Sequence, residues 1–153
     1  LQELDLHALV REVLDHLRAA ADLKENTLIN TVPTGLMARV DQHMIAFVLR
    51  NLVQNANKFT EKGSILVSIR EDEDYYYLSV ADNGSGMGKI QMDKLFHWDY
   101  RVSTSGTRGE KGSGMGLLIC REFVEMHQGE IYVDSEIGRG TTFTFSISRH
   151  LAD

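Results

Sequence analysis

The pentapeptide Gly-Ser-Gly-Met-Gly stands twice in this chain, from Gly84 to Gly88 and again from Gly112 to Gly116. Glycine has no Cβ, so it accepts positive φ and lets backbone N–H groups come close to another body. Two such clusters therefore demand two places where main chain wraps something. Their settings differ. The first follows Ala81-Asp82-Asn83 at the end of an alternating, strand-like run, and the second leads into an apolar run with helical spacing.

The rest of the chain supplies both kinds of element. Leu6, Leu9, Val10, Val13, Leu14 and Leu17 recur at helical spacing within 4–24, with charged residues between them, which predicts an amphipathic entry helix over 1–25. Short strands are expected at 26–32 and 36–40, around Pro33 and Gly35. Asp41 is placed to N-cap a second helix that runs from Met44 to about Phe59, with Gly63 after its end. Ile65, Val67 and Ile69 alternate with Ser64, Leu66, Ser68 and Arg70, and Tyr75 to Ala81 reads as the returning strand. The four acids Glu71 to Asp74 between them read as a solvated hairpin turn rather than a metal site. A short helix near Ile90 to Leu95, a third long helix from Met115 to His127 broken by Gly129, and strands at 131–134 and 142–147 complete the pattern.

At 153 residues the chain fits one domain, and a domain of this size buries roughly 70% of its unfolded surface. A net charge of -6 argues against general nucleic-acid binding, because phosphate backbones select basic faces. Cys120 is the single cysteine, so it reads as a small core residue, and an internal disulfide is excluded. No apolar run approaches the ~18 residues of a membrane span. The chain opens at Leu1 rather than methionine and is expected to be a piece of a longer protein.

Three groups of residues carry chemistry. Asn51, Asn55 and Lys58 lie at positions i, i+4 and i+7 and project from one helix face. Amide oxygens suit a hard cation that also touches phosphate, and an ammonium group suits the phosphate itself. Arg50, Gln54 and Asn57 form a competing polar stripe on the same helix. Asp82, at a strand end before Asn83-Gly84-Ser85-Gly86, can accept a hydrogen bond from an exocyclic amine and so favour adenine over guanine; it can equally close the turn through an Asx bond. The second glycine cluster opens a helix, where unpaired N–H groups and a partial positive charge receive phosphate. It is neither a P-loop nor a dinucleotide fingerprint: Lys111 precedes Gly112, and the third fingerprint glycine falls on Leu117. The polar, aperiodic stretch before it, with Arg101, Arg108 and Lys111, reads as a cationic lid. Gly138-Arg139-Gly140-Thr141-Thr142-Phe143 is a turn entering a strand, with a threonine hydroxyl in reach of the base region.

The order of these strings resembles one family over nearly the whole chain. Asn51-Leu52-Val53-Gln54-Asn55-Ala56-Asn57-Lys58-Phe59-Thr60 is similar to the N box of sensor histidine kinases, and Asp82 to Met87 to their first glycine box. Leu95 to Arg101, Gly112 to Leu117 and Gly140 to Phe143 resemble the phenylalanine box and the later glycine boxes. The resemblance implies the Bergerat fold: an α+β two-layer sandwich, a mixed sheet of about five strands with three main helices on one face, and a flexible ATP lid over 96–113. It implies ATP and Mg²⁺ as cofactors. Asn55 would be the chief Mg²⁺ ligand with Asn51 beside it, and Lys58 would meet the phosphates. Asp82 would hold the adenine amine, Gly84 and Gly86 would give the base room, and Thr141 would support that end. Tyr100 and Arg101 would contact ribose or phosphate, while Gly112, Gly114, Gly116 and Leu117 would line the triphosphate.

Three departures shape the expected function. Met115 stands where leucine is more usual, a volume-conserving change. Hydrolytic members of the fold carry a glutamate base where this chain has Asn51, so attack by water should be slow. Neither His7, followed by Ala8, nor His16, followed by Leu17, nor His43, His97, His127 or His150 matches the histidine motif of a phosphoacceptor hairpin. The resemblance therefore implies a catalytic ATP-binding domain, monomeric when isolated, that serves a separate dimerisation and phosphoacceptor hairpin, with a response-regulator receiver domain downstream and no nucleic-acid partner. It implies a cytosolic setting, free or as the inner part of a membrane-bound sensor. The alternatives are an anti-sigma-type serine kinase and a nucleotide-gated interaction module of the same fold.

Overall fold

The computed structural model describes residues 1–95 and 115–152. The chain enters as strand β1 (Gln2–Asp5) and turns directly into helix α1 (Leu6–Leu23). The expected entry helix spanned 1–25, with its helical spacing read from Leu4; the helix starts later, and the residues before Leu6 form a strand. Asp5 sets the true start: its carboxylate accepts from the backbone N–H of His7 at 2.9 Å and of Ala8 at 3.4 Å, and as an N-cap it stays extended. The residues before it pair antiparallel with β3 (Met37–Val40), Gln2 opposite Val40 and Asp5 opposite Met37. A four-residue strand offers too few alternations to reveal itself.

β2 (Thr27–Asn30) lies inside the stretch expected for it but joins a different sheet from β3. With β4 (Ser64–Glu71), β5 (Tyr75–Asp82), β6 (Ile131–Glu136) and β7 (Gly140–Ser148) it builds a five-stranded sheet in the order β2-β4-β5-β7-β6. β2 and β4 are parallel and the other pairings antiparallel, so the sheet is mixed, as expected. Helix α2 (Gln42–Lys58) makes the crossover between the parallel strands, α3 (Lys89–Lys94) is short, and α4 (Gly116–Met126) returns the chain to β6.

One face of the sheet is apolar, in rows that run across the strands. Ile69, Leu78, Phe145 and Ile131 form one row, and Val67, Val80, Phe143 and Val133 the next. Against them pack Leu9, Val13 and Leu14 of α1, Ile45, Leu49 and Leu52 of α2, and Cys120 and Val124 of α4. Burial pushes the Cys120 thiol up to about 12, so it is an inert core group, as expected. The opposite face carries side chains that bond one another: the Ser79 and Thr144 hydroxyls lie 2.8 Å apart, and the Arg70 guanidinium sits 3.9 Å from the centre of the Tyr77 ring.

Helices α2 and α4 end before Gly63 and Gly129, as expected, but neither glycine carries the positive φ. Gln128, not Gly129, takes the left-handed conformation after α4, and Lys62, not Gly63, does so after α2. The neighbouring glycines are needed for space instead. A Cβ on Gly129 would strike the Ser146 carbonyl, and one on Gly63 the Asn83 side chain. The 71–74 acid run is a hairpin turn, and among the described residues no group of three or more His, Cys, Asp or Glu side chains is placed to hold a metal. No described helix is long and apolar enough to cross a membrane.

Candidate functional site

The apolar rows stop abruptly at one end of the sheet. The next row on the helix-bearing face reads Ile65, Asp82, Thr141, Ser135, placing three polar residues where the two rows above hold only apolar ones. Asp82 Oδ1 accepts from the Gly84 N–H at 2.9 Å and from the Thr141 N–H at 3.3 Å. The Asx turn read from the sequence is thus real, and it occupies one oxygen. Desolvation nevertheless raises the Asp82 pKa above the ordinary carboxylate value, outweighing the lowering effect of Gly84, Thr141 and the nearby Thr60 hydroxyl. A half-buried carboxylate of this kind is poised to gain a donor.

The first glycine cluster is moulded around this acid. Ser85 N–H donates to the Phe59 carbonyl at 3.0 Å, docking the loop on the C-terminal end of α2. A Cβ on Gly84 would collide with that same carbonyl, and one on Gly86, which has φ +72, with the Glu136 carbonyl. Gly140, at φ +113, leaves room for the Asp82 carbonyl. Ser135 Oγ ties the assembly together: it receives the Met87 N–H at 2.8 Å, donates to the Gly140 carbonyl at 2.9 Å and lies 2.7 Å from the Thr141 hydroxyl. Thr141 therefore reaches Asp82 through its backbone N–H, and its hydroxyl is engaged with Ser135.

α2 joins this region to the second cluster. Asn51 Nδ2 donates to the Phe47 carbonyl at 3.1 Å, and Asn51 Oδ1 lies so near Gly116 that a Cβ there would collide with it. The Phe47 and Phe123 rings, 5.3 Å apart in an edge-to-face pair, hold α2 and α4 together behind that contact. Leu117 is half-buried and packs on the core. Asn55 is half-buried one turn beyond Asn51, and Lys58 ends the helix with its Nζ 5.1 Å from the centre of the Phe59 ring. The competing stripe separates from this face: Arg50 and Gln54 are exposed, and Asn57 accepts from Asn26 Nδ2 at 2.8 Å.

So Asp82, Gly84, Gly86 and Thr141 meet at the sheet end, Asn51 meets Gly116, and α2 connects the two groups. Tyr100, Arg101, Gly112 and Gly114, with the 96–113 lid, lie outside the described residues. Sequence reasoning missed the supports of this arrangement. The buried Lys24 donates from Nζ to the Lys58 carbonyl at 2.8 Å, and Asn26 donates to the Thr60 carbonyl at 2.8 Å while accepting from Gly63 N–H at 3.0 Å. These clamps fix the last turn of α2. Ser135 gave no sequence signal at all, since serine alternating in a strand is ordinary.

Comparison with known proteins places the chain and its fold. The profile of the family described as histidine kinase-, DNA gyrase B-, and HSP90-like ATPase matches residues 40–151. The sensor histidine kinase WalK of Bacillus subtilis is 34% identical over 138 residues, covering 88% of this chain and 23% of WalK. The chain therefore spans about a quarter of that relative. The catalytic domain of the histidine kinase ThkA superposes with a TM-score of 0.83 at 27% identity, covering 97% of each chain. The full-length histidine kinase ShkA, solved in complex with AMPPNP, superposes with a TM-score of 0.80 at 25% identity, covering 99% of this chain and 32% of that one. The fold and the matching profile agree, and the chain belongs to the histidine kinase-, DNA gyrase B- and HSP90-like ATPase family.

Proposed function

We propose that this domain binds Mg-ATP and donates its γ-phosphoryl group to a histidine on a separate dimerisation and phosphoacceptor hairpin, in two-component signalling. The observation that carries the reading is Asp82: a desolvated carboxylate with one oxygen engaged by backbone N–H groups, at the one sheet end where the apolar rows turn polar. Its other oxygen would take the adenine amine, with Gly84 and Gly86 leaving room for the base.

The N-box amides fit a magnesium ion by their chemistry. Asn51 spends Nδ2 on the Phe47 carbonyl, so its carbonyl oxygen is the atom it presents toward the start of α4, and Asn55 follows on the same helix face. Asn55 and Asn51 would hold the ion, which when bound supplies charge neutralisation at the phosphate oxygens. Lys58 and Arg101 would hold phosphate oxygens, Tyr100 the ribose, and Gly112, Gly114, Gly116 and Leu117 the triphosphate at the α4 N-terminus. A histidine nitrogen would attack the γ-phosphorus in line as the bond to the β-phosphate oxygen breaks, releasing ADP. With Asn51 in place of a carboxylate base, water is a poor competitor.

The test is transfer in trans. Incubation with γ-labelled Mg-ATP and a separately produced histidine hairpin should put acid-labile phosphate on the hairpin and none on this domain. Acid-stable serine phosphate on a protein substrate would support the serine-kinase alternative, and nucleotide binding without transfer would support the interaction module. A receiver domain added afterwards should take the phosphate from the hairpin.

A further inference from the structure

Helix α2 ends on Lys58, and its own hydrogen bonds are weak there. The Phe59 N–H reaches the Asn55 carbonyl at 3.3 Å and the Thr60 N–H the Asn57 carbonyl at 3.4 Å, both longer than an ordinary N–H···O bond. Held by these alone, the last turn would fray. Three shorter bonds from elsewhere in the chain secure it. The Lys58, Phe59 and Thr60 carbonyls accept in turn from Lys24 Nζ at 2.8 Å, the Ser85 N–H at 3.0 Å and Asn26 Nδ2 at 2.8 Å.

Lys24 contributes more than one of these bonds. A further turn of α2 would have joined the Lys58 carbonyl to the Lys62 N–H. Instead the Lys62 N–H donates to the Lys24 carbonyl at 2.9 Å, while Lys24 Nζ takes the Lys58 carbonyl. Lys24, the C-cap of α1, thus stands in for both halves of the missing helical bond. It does so at 5% exposure, a depth lysine almost never reaches unless paired, because removing an ammonium group from water is costly. A cation at a helix C-terminus, where carbonyl dipoles converge, offsets part of that cost.

We infer that Lys24 is a positioning residue for phosphate binding: by fixing the Lys58 backbone it sets where the Lys58 ammonium group meets the nucleotide. Asn51 lies two turns deeper, where α2 holds itself, so the support falls on the phosphate contact at the helix end. This deepens the nucleotide-binding reading and rests on it.

A double-substitution cycle tests it, with Mg-ATP affinity from calorimetric titration and nucleotide-free Tm from melting, on the wild type, Lys24→Met, Lys58→Met and the pair. Methionine fills the place of the stem and removes the ammonium group. Lys24→Met should lower Tm and weaken Mg-ATP about tenfold, and Lys58→Met should weaken it at least as much, the effect of one charge-assisted bond. In the Lys58→Met background, Lys24→Met should still lower Tm by the same amount, because its bond is to a main-chain carbonyl. It should there change Mg-ATP affinity by less than about twofold. Affinity losses that multiply in full would show that Lys24 only maintains the fold, and wild-type affinity in either single variant would show that the phosphate contact needs no such support. Either result overturns the inference while leaving nucleotide binding intact. Should Lys24→Met not fold, Lys24→Gln, which keeps a shorter neutral donor, runs the same cycle with the same outcomes. Failure of the wild type to bind Mg-ATP at all would overturn the nucleotide reading and this inference with it.

Discussion

Asp72 and Asp82 stand at opposite ends of the same strand region, and their surroundings separate structural acid from functional acid. Asp72 begins the β4–β5 turn and is satisfied by its own neighbourhood: Oδ1 accepts from the N–H groups of Asp74 and Tyr75 at 2.9 and 2.7 Å, and Oδ2 from the Tyr77 hydroxyl at 2.8 Å. The Tyr77 bond leads the effects that lower its pKa. At the other end, desolvation leads and raises the pKa of Asp82. At the end with four consecutive acids Asp72 is satisfied within its own turn, and the end with one acid carries the proposed site. Counting charges along the chain would choose wrongly; asking which carboxylate is desolvated with an oxygen to spare chooses Asp82.

The comparison breaks most visibly under substitution. Mg-ATP at about a hundredfold excess over its Kd should stabilise the wild type by about 2.7 kcal/mol, a rise of several degrees in Tm for a domain of this size. Asp82→Asn should remove that rise in a melting experiment, because an amide there offers the adenine amine no charged acceptor. It should leave the nucleotide-free Tm no lower than that of the wild type, since the amide oxygen can still accept from Gly84 and Thr141 and no buried charge remains. Asp72→Asn should leave the ligand-dependent rise untouched. A GTP response equal to that of ATP would remove the ground for assigning the base to Asp82.

Gly84→Ala comes next. Its methyl group would meet the Phe59 carbonyl, a backbone atom held by Ser85, so the loop must shift off the end of α2. Overpacking of this kind costs about 1–3 kcal/mol, readable by urea denaturation, and nucleotide binding should fall with it.

The two acids should also respond oppositely to pH. Because the folded-state pKa of Asp82 is raised, its contribution to stability is fully present below the unfolded value and is lost as pH rises through the folded one. Because that of Asp72 is lowered, its contribution is present above the unfolded value and is lost as pH falls through the folded one. Comparing unfolding free energies across acid pH for the wild type and each asparagine variant reads both signs. Nucleotide affinity, which needs ionised Asp82, should decline on acidification before an ordinary carboxylate would protonate. The smallest expected effect belongs to Tyr77→Phe, which removes one exposed hydrogen bond from Asp72 and should lower Tm slightly without altering ligand response.

Much of this architecture was legible beforehand, for identifiable reasons. Long amphipathic helices and eight-residue alternating strands repeat their signal often enough to be read, and the Asp41 cap is confirmed by its bond to the Met44 N–H at 3.0 Å. The spacing of Asn51, Asn55 and Lys58 fixed their common face because helical geometry is local. What escaped depends on contacts between distant segments. β1 exists only through its pairing with β3, and Lys24 and Asn26 clamp α2 from more than thirty residues away. Ser135 matters because register sets it opposite Thr141. Gly63 and Gly129 could be read as glycines at helix ends, but whether they serve φ or close approach depends on which backbone comes near. Thr60 sat within the N-box string, yet only the fold brings its hydroxyl beside Asp82 and Gly84.

The central claim is that the α2 amide face, the loop after β5 and the start of α4 gather around a single adenine nucleotide. Amide resonances of isotopically labelled protein, followed as Mg-ATP is added, test it most directly. The account predicts that the backbone signals of Gly84, Thr141 and Gly116 and the side-chain amides of Asn51 and Asn55 shift together along one saturation curve, while Asp74 and Tyr75 stay still. Shifts confined to one of the three parts, or separate saturation curves for them, would contradict it.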